Sequence, residues 1–264
     1  MSTTALATLG KQEIQLSEAQ SAVMAEMNRE DERKAFEFMP PRIKLPSGGI
    51  DMYVTGDGEA FKTFDAIVAV SQMARAYWPT KSANGLPPIC SSPDSAVGWL
   101  NLPADKDQVR AAVAAPIRHP GLLDLNASST GPFTCDRCPL SGWGTSLDGG
   151  RGQACKTLRR LLLLVDGWTT PAVMTLPPTS CKVWDLYASS RSRTPGQAYF
   201  TVRTRFELER KTNAGGTTYS VVKLVAATPL TDEEIGAVLA IRTQYSDLVR
   251  NLAIEPAEYE EVPF

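Results

Sequence analysis

Residues 200–208 alternate strictly, with Phe200, Val202, Thr204, Phe206 and Leu208 on one parity and Thr201, Arg203, Arg205 and Glu207 on the other. A period of two puts each parity on its own face of a strand. Asn213-Ala214-Gly215-Gly216 supplies turn chemistry and 219–226 returns, so the stretch predicts a hairpin with one apolar face and one face bearing arginines. Residues 160–165 and 171–176 predict two further strands joined at Asp166-Gly167. Residues 64–78, FDAIVAVSQMARAYW, are β-branched and aromatic enough for a strand, with a helix as the alternative. PRIKLPSGGIDMYV predicts a short strand, a turn at 47–49 and a second strand.

Helix signals are fewer. Pro177-Pro178-Thr179-Ser180 starts one, with 182–189 amphipathic behind it, and Thr231 with Glu234 forms a capping box for another reaching Leu252. A charged helix is expected over 21–38, stopped by Pro40-Pro41, and a short one over 105–115 inside a loop-rich insertion at 100–131. Many short strands and few helices predict a mainly β (α+β) chain, built as an OB-like barrel or curved sheet.

Composition narrows the function. The chain has 264 residues and 43% hydrophobic content, enough for an ordinary core. Its apolar runs, such as LLLLV at 161–165, fall far short of the ~20 residues that cross a bilayer. The first residues lack a basic n-region and a long apolar core, so a soluble cytoplasmic protein is expected. Five cysteines, an odd number, fit a reducing compartment. His119, the one histidine, disfavours Ser-His-Asp and Cys-His chemistry, and no Walker A or Rossmann fingerprint is present. The chain does not read as an enzyme. Net charge is −2, but the last ten residues hold four Glu and no Lys or Arg. Without them 27 basic and 25 acidic residues remain, a body of +2 with an acidic end.

The chemistry concentrates in residues 133–160, FTCDRCPLSGWGTSLDGGRGQACKTLRR. Cys135 and Cys138 form a C-x-x-C pair, which can hold one ion from a single turn of chain but needs two more soft ligands. Cys155 is the natural third. Cys90, in the Pro-bounded loop PPICSSPD, is the chosen fourth, over Cys181, which lies where a helix should begin. A redox pair should open a helix after a strand, whereas Pro139, Gly142, Gly144 and Gly149 argue for a loop. One structural Zn2+ per chain on Cys90, Cys135, Cys138 and Cys155 is therefore expected, with no open position for catalysis.

IKLPSGG, the AYW before PP-x-CSS-x-D, C-x-x-C-P with its Gly-rich loop and G-x-A-CK, LPPTS, and GG-x-x-YS follow one another between about 41 and 226. In that order they resemble zinc-binding, single-stranded-DNA-binding-like proteins of bacteriophages and mobile elements. The resemblance places the cysteine of the CSS loop with the three later ones, which again favours Cys90. The last residues, Glu260-Glu261-Val262-Pro263-Phe264, resemble the acidic tip of bacterial single-stranded-DNA-binding proteins, with Glu replacing the usual Asp run. An aromatic plug beside a carboxylate suits a basic-rimmed pocket, and the acidic stem can compete with DNA for a basic groove.

These resemblances imply a non-catalytic protein that coats or organises single strands during replication or recombination and recruits partner enzymes through its tip. Such binding needs cations along the phosphates and aromatic faces under the bases. The candidate cations are Arg75, Lys156, Arg159, Arg160, Arg203, Arg205 and Lys223, and the candidate platforms are Tyr77, Trp78 and Trp143. A zinc-stabilised adaptor with little DNA affinity is the alternative. The expected organisation is a flexible segment at 1–40, a core with the zinc loops at 41–230, a helix at 231–254 and a docking tail at 255–264.

Overall fold

Five consecutive residues, Ala66, Ile67, Val68, Ala69 and Val70, are buried, a pattern that requires a strand covered on both faces. The computed structural model describes residues 40–46, 49–78, 88–100, 132–146, 149–213 and 215–252, together with 19, 22, 23 and 26. The chain divides into two units, Met1–Pro40 and Pro41–Phe264. All the elements named below belong to the second. The helix expected at 21–38 lies mostly outside the described residues, and so do the insertion, its short helix at 105–115 and the tail at 255–264.

In chain order the strands are β1 (Arg42–Lys44), β2 (Tyr53–Thr55), β3 (Ala60–Phe61), β4 (Phe64–Tyr77), β5 (Cys90–Ser92), β6 (Val97–Leu100), β7 (Phe133–Thr134), β8 (Cys155–Val165), β9 (Ala172–Leu176), β10 (Val202–Thr212) and β11 (Thr218–Pro229). Helices α1 (Pro178–Arg191) and α2 (Asp232–Asn251) complete the described elements, with short 3-10 turns between. The chain is thus mainly β. The strands form one mixed sheet in the order β3-β2-β1-β9-β8-β4-β5-β6-β7, from which β10 and β11 branch at the start of β4. β1 runs parallel to β9; the other pairs are antiparallel.

The four leucines at 161–164 show how both faces are used. Leu161 and Leu163 join Val68, Met174, Phe206 and Trp184 of α1, while Leu162 joins Ile67, Val173 and the α2 residues Val238, Tyr245 and Val249. Each buried aliphatic side chain of this kind contributes roughly 1.5–3 kcal/mol. α1 starts with Pro178 in its first turn, where a missing N–H costs nothing. α2 starts at the expected capping box, Glu234 N donating to Thr231 Oγ1 at 3.3 Å and Thr231 N to Glu234 Oε2 at 2.8 Å.

A register shift between Val68 and Val70 decides where the functional residues go. Before it Val68 faces Leu163; after it Ser71 faces Leu161, so the parity of β4 is exchanged. Met73, Arg75 and Tyr77 therefore take the same face as Val68 and α1. Far along the strand order, the two branches of the sheet meet again. Tyr53 Oη donates to Glu207 O at 2.9 Å, Arg210 Nε to Gly49 O at 2.8 Å and Ser220 Oγ to Ile50 O at 2.6 Å.

Candidate metal centre and nucleic-acid interface

Tyr77 is paired with Cys90 on β5 and with Cys155 on β8, so the three residues form one row across the sheet. Directly opposite residues share a face. The next row on that face is Ser92, Arg75 and Thr157. β8 begins at Cys155, five residues before the strand expected from the sequence, and that extension delivers the third cysteine to this face.

The C-x-x-C pair is held in two successive 3-10 turns, Cys135–Arg137 and Pro139–Ser141. Cys138 N donates to Cys135 O at 3.1 Å, and Cys135 N donates to Ala96 O at 2.9 Å, tying the turn to the β5–β6 connection. Ser141 Oγ donates to Cys138 O at 2.8 Å, and Gln153 Nε2 to Ser141 O at 2.6 Å. The CSSPDS loop is fixed by one carboxylate, since Asp94 Oδ1 accepts from Ser92 Oγ, Ala96 N and Val97 N at 2.9–3.0 Å. Gly98 lets β6 approach: a Cβ there would stand 3.2 Å from Cys90 Sγ and 3.6 Å from Cys135 Sγ.

Cys90, Cys135, Cys138 and Cys155 bound one cavity of about 20 Å3, with Arg75 and Tyr77 also in its wall. A space of about 10–15 Å3 already holds one water-sized sphere. Among the described residues, no three Cys, His, Asp or Glu side chains stand at the spacing of a formed metal centre, and all five cysteines are free thiols. The donor set nevertheless fits a soft divalent ion, because all four cysteines are in the lining of this one small cavity. Burial pushes the Cys90 thiol up to about 12, with Cys135 and Cys138 adding to the effect. Burial likewise raises Cys155, and Cys138, Cys90 and Cys135 raise it further while Arg75 lowers it. Cys135 is raised by burial and eased by the Ser92 hydroxyl and Arg75. A metal would exchange the protons of these thiols for its own charge.

Cys181 is elsewhere. It lies in α1 with Sγ 3.6 Å from Leu176 O and 3.7 Å from Thr157 O, and burial lifts its thiol to about 12.

The DNA-binding candidates divide sharply. Tyr77 and Trp78 are buried, so neither ring offers a stacking face. Arg160 has no exposed surface: it lies on the α2 face and its guanidinium donates to Leu252 O, so it is a structural residue. Arg159, one position earlier, points to the opposite face and pairs with Asp185 of α1 at 2.7 Å. The hairpin cations are neutralised in place. Arg205 pairs with Asp65, Lys223 with Glu207 at 2.8 Å, and Arg203 with Glu234 at 3.0 Å and Asp166 at 3.4 Å. Arg75 is half-buried at the cysteine cavity, its Nε donating to Ser95 Oγ at 2.9 Å. Lys156 is half-buried, on the opposite face of β8 from Cys155. The docking residues 260–264 lie outside the described residues.

Trp143, at the tip of the Gly-rich loop, is 79% exposed. A second exposed ring was not anticipated. Trp99 on β6 is 48% exposed, and Val97 beside it 37%. Because Gly98 faces the sulfurs, its neighbours on β6 face away from them. The alternation in Val97-Gly98-Trp99 was the available signal.

The chain matches no protein-family model, no curated protein and no solved structure. Among the described residues no helix is long and apolar enough to cross a membrane.

Proposed function

We propose that the protein binds single-stranded DNA without catalysis, through a zinc-stabilised module inserted into an OB-like core. The observation that carries the reading is the position of Trp99 and Trp143, two exposed aromatic rings on the connection between β4 and β8. β4, β8 and β9 make a meander, α1 follows, and β10 of the β10–β11 hairpin returns to pair with β4. A five-stranded Greek-key barrel likewise pairs its first strand with the second and the fourth, which supports the OB-like reading. Among the described residues β9 pairs with β1 and β8, and β11 with β10 alone, so the sheet is open. The contacts of Tyr53, Arg210 and Ser220 link the sheet's two branches, as a curved sheet requires. Barrels of this class bind oligonucleotides with the connection between their first two strands, which here is the cysteine module.

Cys90, Cys135, Cys138 and Cys155 would hold one Zn2+, whose role when bound is to fix the loops that present the rings. Bases stack on the exposed tryptophans, and Lys156 and the exposed Arg137 and Arg151 of the same module supply cations near the phosphates. Recruitment of replication or recombination proteins is assigned to the acidic segment 255–264.

A fluorescence-anisotropy titration of oligo-dT against duplex of equal length, at two salt concentrations, tests the reading. Tighter binding to the single strand is expected, falling with salt on a slope of about −0.7 per phosphate contacted. No binding of a long oligo-dT at low salt would remove the DNA-binding function and leave the adaptor, which the already-paired hairpin cations favour.

A further inference from the structure

Two polar groups in the wall of the cysteine cavity find no partner among the described residues. Tyr77 is 1% exposed and its hydroxyl has no hydrogen-bond partner there; Arg75 Nη1 is buried and equally unpartnered. Both residues line the cavity that Cys90, Cys135, Cys138 and Cys155 also line. Their direction is set by the sheet. The register shift at Val68–Val70 turns them to this face, Tyr77 lies between Cys90 and Cys155, and Arg75 lies one row further in. Arg75 is anchored through its Nε to Ser95 Oγ at 2.9 Å, which leaves one arm of the guanidinium aimed inward.

An unsatisfied buried donor is destabilising, and more so when it is charged. Neutral thiols are weak acceptors and carry no charge to balance a guanidinium. Four thiolates on a divalent cation carry a net charge of −2 and accept hydrogen bonds well. No carboxylate lines this cavity among the described residues, and Asp94, in the loop after β5, is already occupied by Ser92, Ala96 and Val97. The environment of the sulfurs is therefore built for an anion that four protonated cysteines do not provide.

We infer that Arg75 and Tyr77 are positioning residues of a tetrathiolate metal centre, their N–H and O–H groups donating to metal-bound sulfur and Arg75 offsetting its negative charge. The inference rests on the zinc reading above and deepens it. It also reassigns both residues: neither is free to touch DNA.

The test uses the full chain with its zinc exchanged for Co2+. A donor to a thiolate lowers the energy of the sulfur lone pair, so losing it moves the sulfur-to-metal charge-transfer band to longer wavelength. Tyr77→Phe keeps the ring packing and removes only the hydroxyl; Arg75→Met removes the charge and Arg75→Lys restores it. Metal affinity, measured by competition with a chromogenic chelator, should fall about 10- to 100-fold in Arg75→Met, as for other outer-shell partners. It should fall less in Tyr77→Phe and recover partly in Arg75→Lys, with red-shifted charge-transfer bands and unchanged tetrahedral d–d bands in the first two. Wild-type affinity and band positions in both Tyr77→Phe and Arg75→Met would overturn the inference while leaving the metal site standing. A wild-type chain that shows no tetrahedral Co2+ bands would overturn the zinc reading itself, and this inference with it.

Discussion

Arg205 on β10 and Asp65 on β4 stand directly opposite each other, joined by two N–H···O contacts of 2.8 Å each. The pair fastens the hairpin to the central strand, and the Arg205 hydrogen bonds hold the Asp65 carboxyl below its ordinary range. A depressed carboxyl contributes stability above its unfolded value of about 3.9 and loses it as pH falls through the folded value. Asp65→Asn should therefore lower Tm slightly at pH 7, and the difference from wild type should vanish in strong acid. Equal Tm values across the whole range would mean that the pair adds nothing. Because Arg205 is already neutralised, Arg205→Ala should change oligo-dT affinity by less than roughly twofold, far below the loss of a free phosphate contact series. A larger loss would place the hairpin face on the DNA.

The ligand assignment predicts opposite outcomes for two cysteines. Cys90 shares a row with Tyr77 and Cys155, whereas Cys181 is packed in α1 against the carbonyls of Leu176 and Thr157. Cys90→Ser should lose zinc and unfold the local loops, since a structural site supplies on the order of 10 kcal/mol of apparent binding energy. Cys181→Ser should keep it. Elemental analysis of the two purified variants decides the matter, and equal zinc content would refute the assignment.

The hairpin was legible because its two faces differ in chemistry: Val202, Thr204 and Phe206 are buried while Arg205 is exposed. β4 was ambiguous for the opposite reason, since Ala66 to Val70 are buried on both faces and alternation disappears. No local pattern marks a one-residue register shift, so the direction of Arg75 and Tyr77 was not readable. Arg160 was mistaken for a surface cation because its acceptor, the Leu252 carbonyl, lies at the end of a helix 92 residues away. Arg203, Arg205 and Lys223 were recognised as one charged face, but their carboxylate partners come largely from other elements, and neutralisation is a tertiary fact. The cysteines were accessible because C-x-x-C and the Pro-bounded loop are local signals; the sheet then aligns Cys90 with Cys155, and the 3-10 turns add Cys135 and Cys138 to the same cavity.

Gly98 tests how closely β6 must approach the sulfurs. Its φ lies outside the left-handed region, so space alone decides what can replace it. A methyl group would sit 3.2 Å from Cys90 Sγ, and the sulfur would have to give by a few tenths of an ångström. Gly98→Ala should weaken metal retention against a chelator while the rest of the sheet melts as in wild type. Gly98→Val should lose metal altogether. Unchanged chelator resistance in the valine variant would show that β6 does not constrain the site.

Trp99 and Trp143 allow stacking to be separated from electrostatics. Trp143 is largely in solvent and Trp99 about half so, and neither belongs to the buried core, so replacing either should leave zinc content and Tm close to wild type. Stacking of a base on an aromatic side chain is worth roughly 1–3 kcal/mol, so each Trp→Ala variant should weaken oligo-dT binding about tenfold. Trp→Phe keeps a π face and should recover part of the loss. The salt slope should stay as in wild type in every one of these variants, because no phosphate contact is removed. Lys156→Ala should show the complementary signature, a shallower slope by about 0.7 with a smaller change at high salt. If Trp99→Ala and Trp143→Ala both bind oligo-dT like wild type with their zinc intact, the inserted module is not the DNA-binding face.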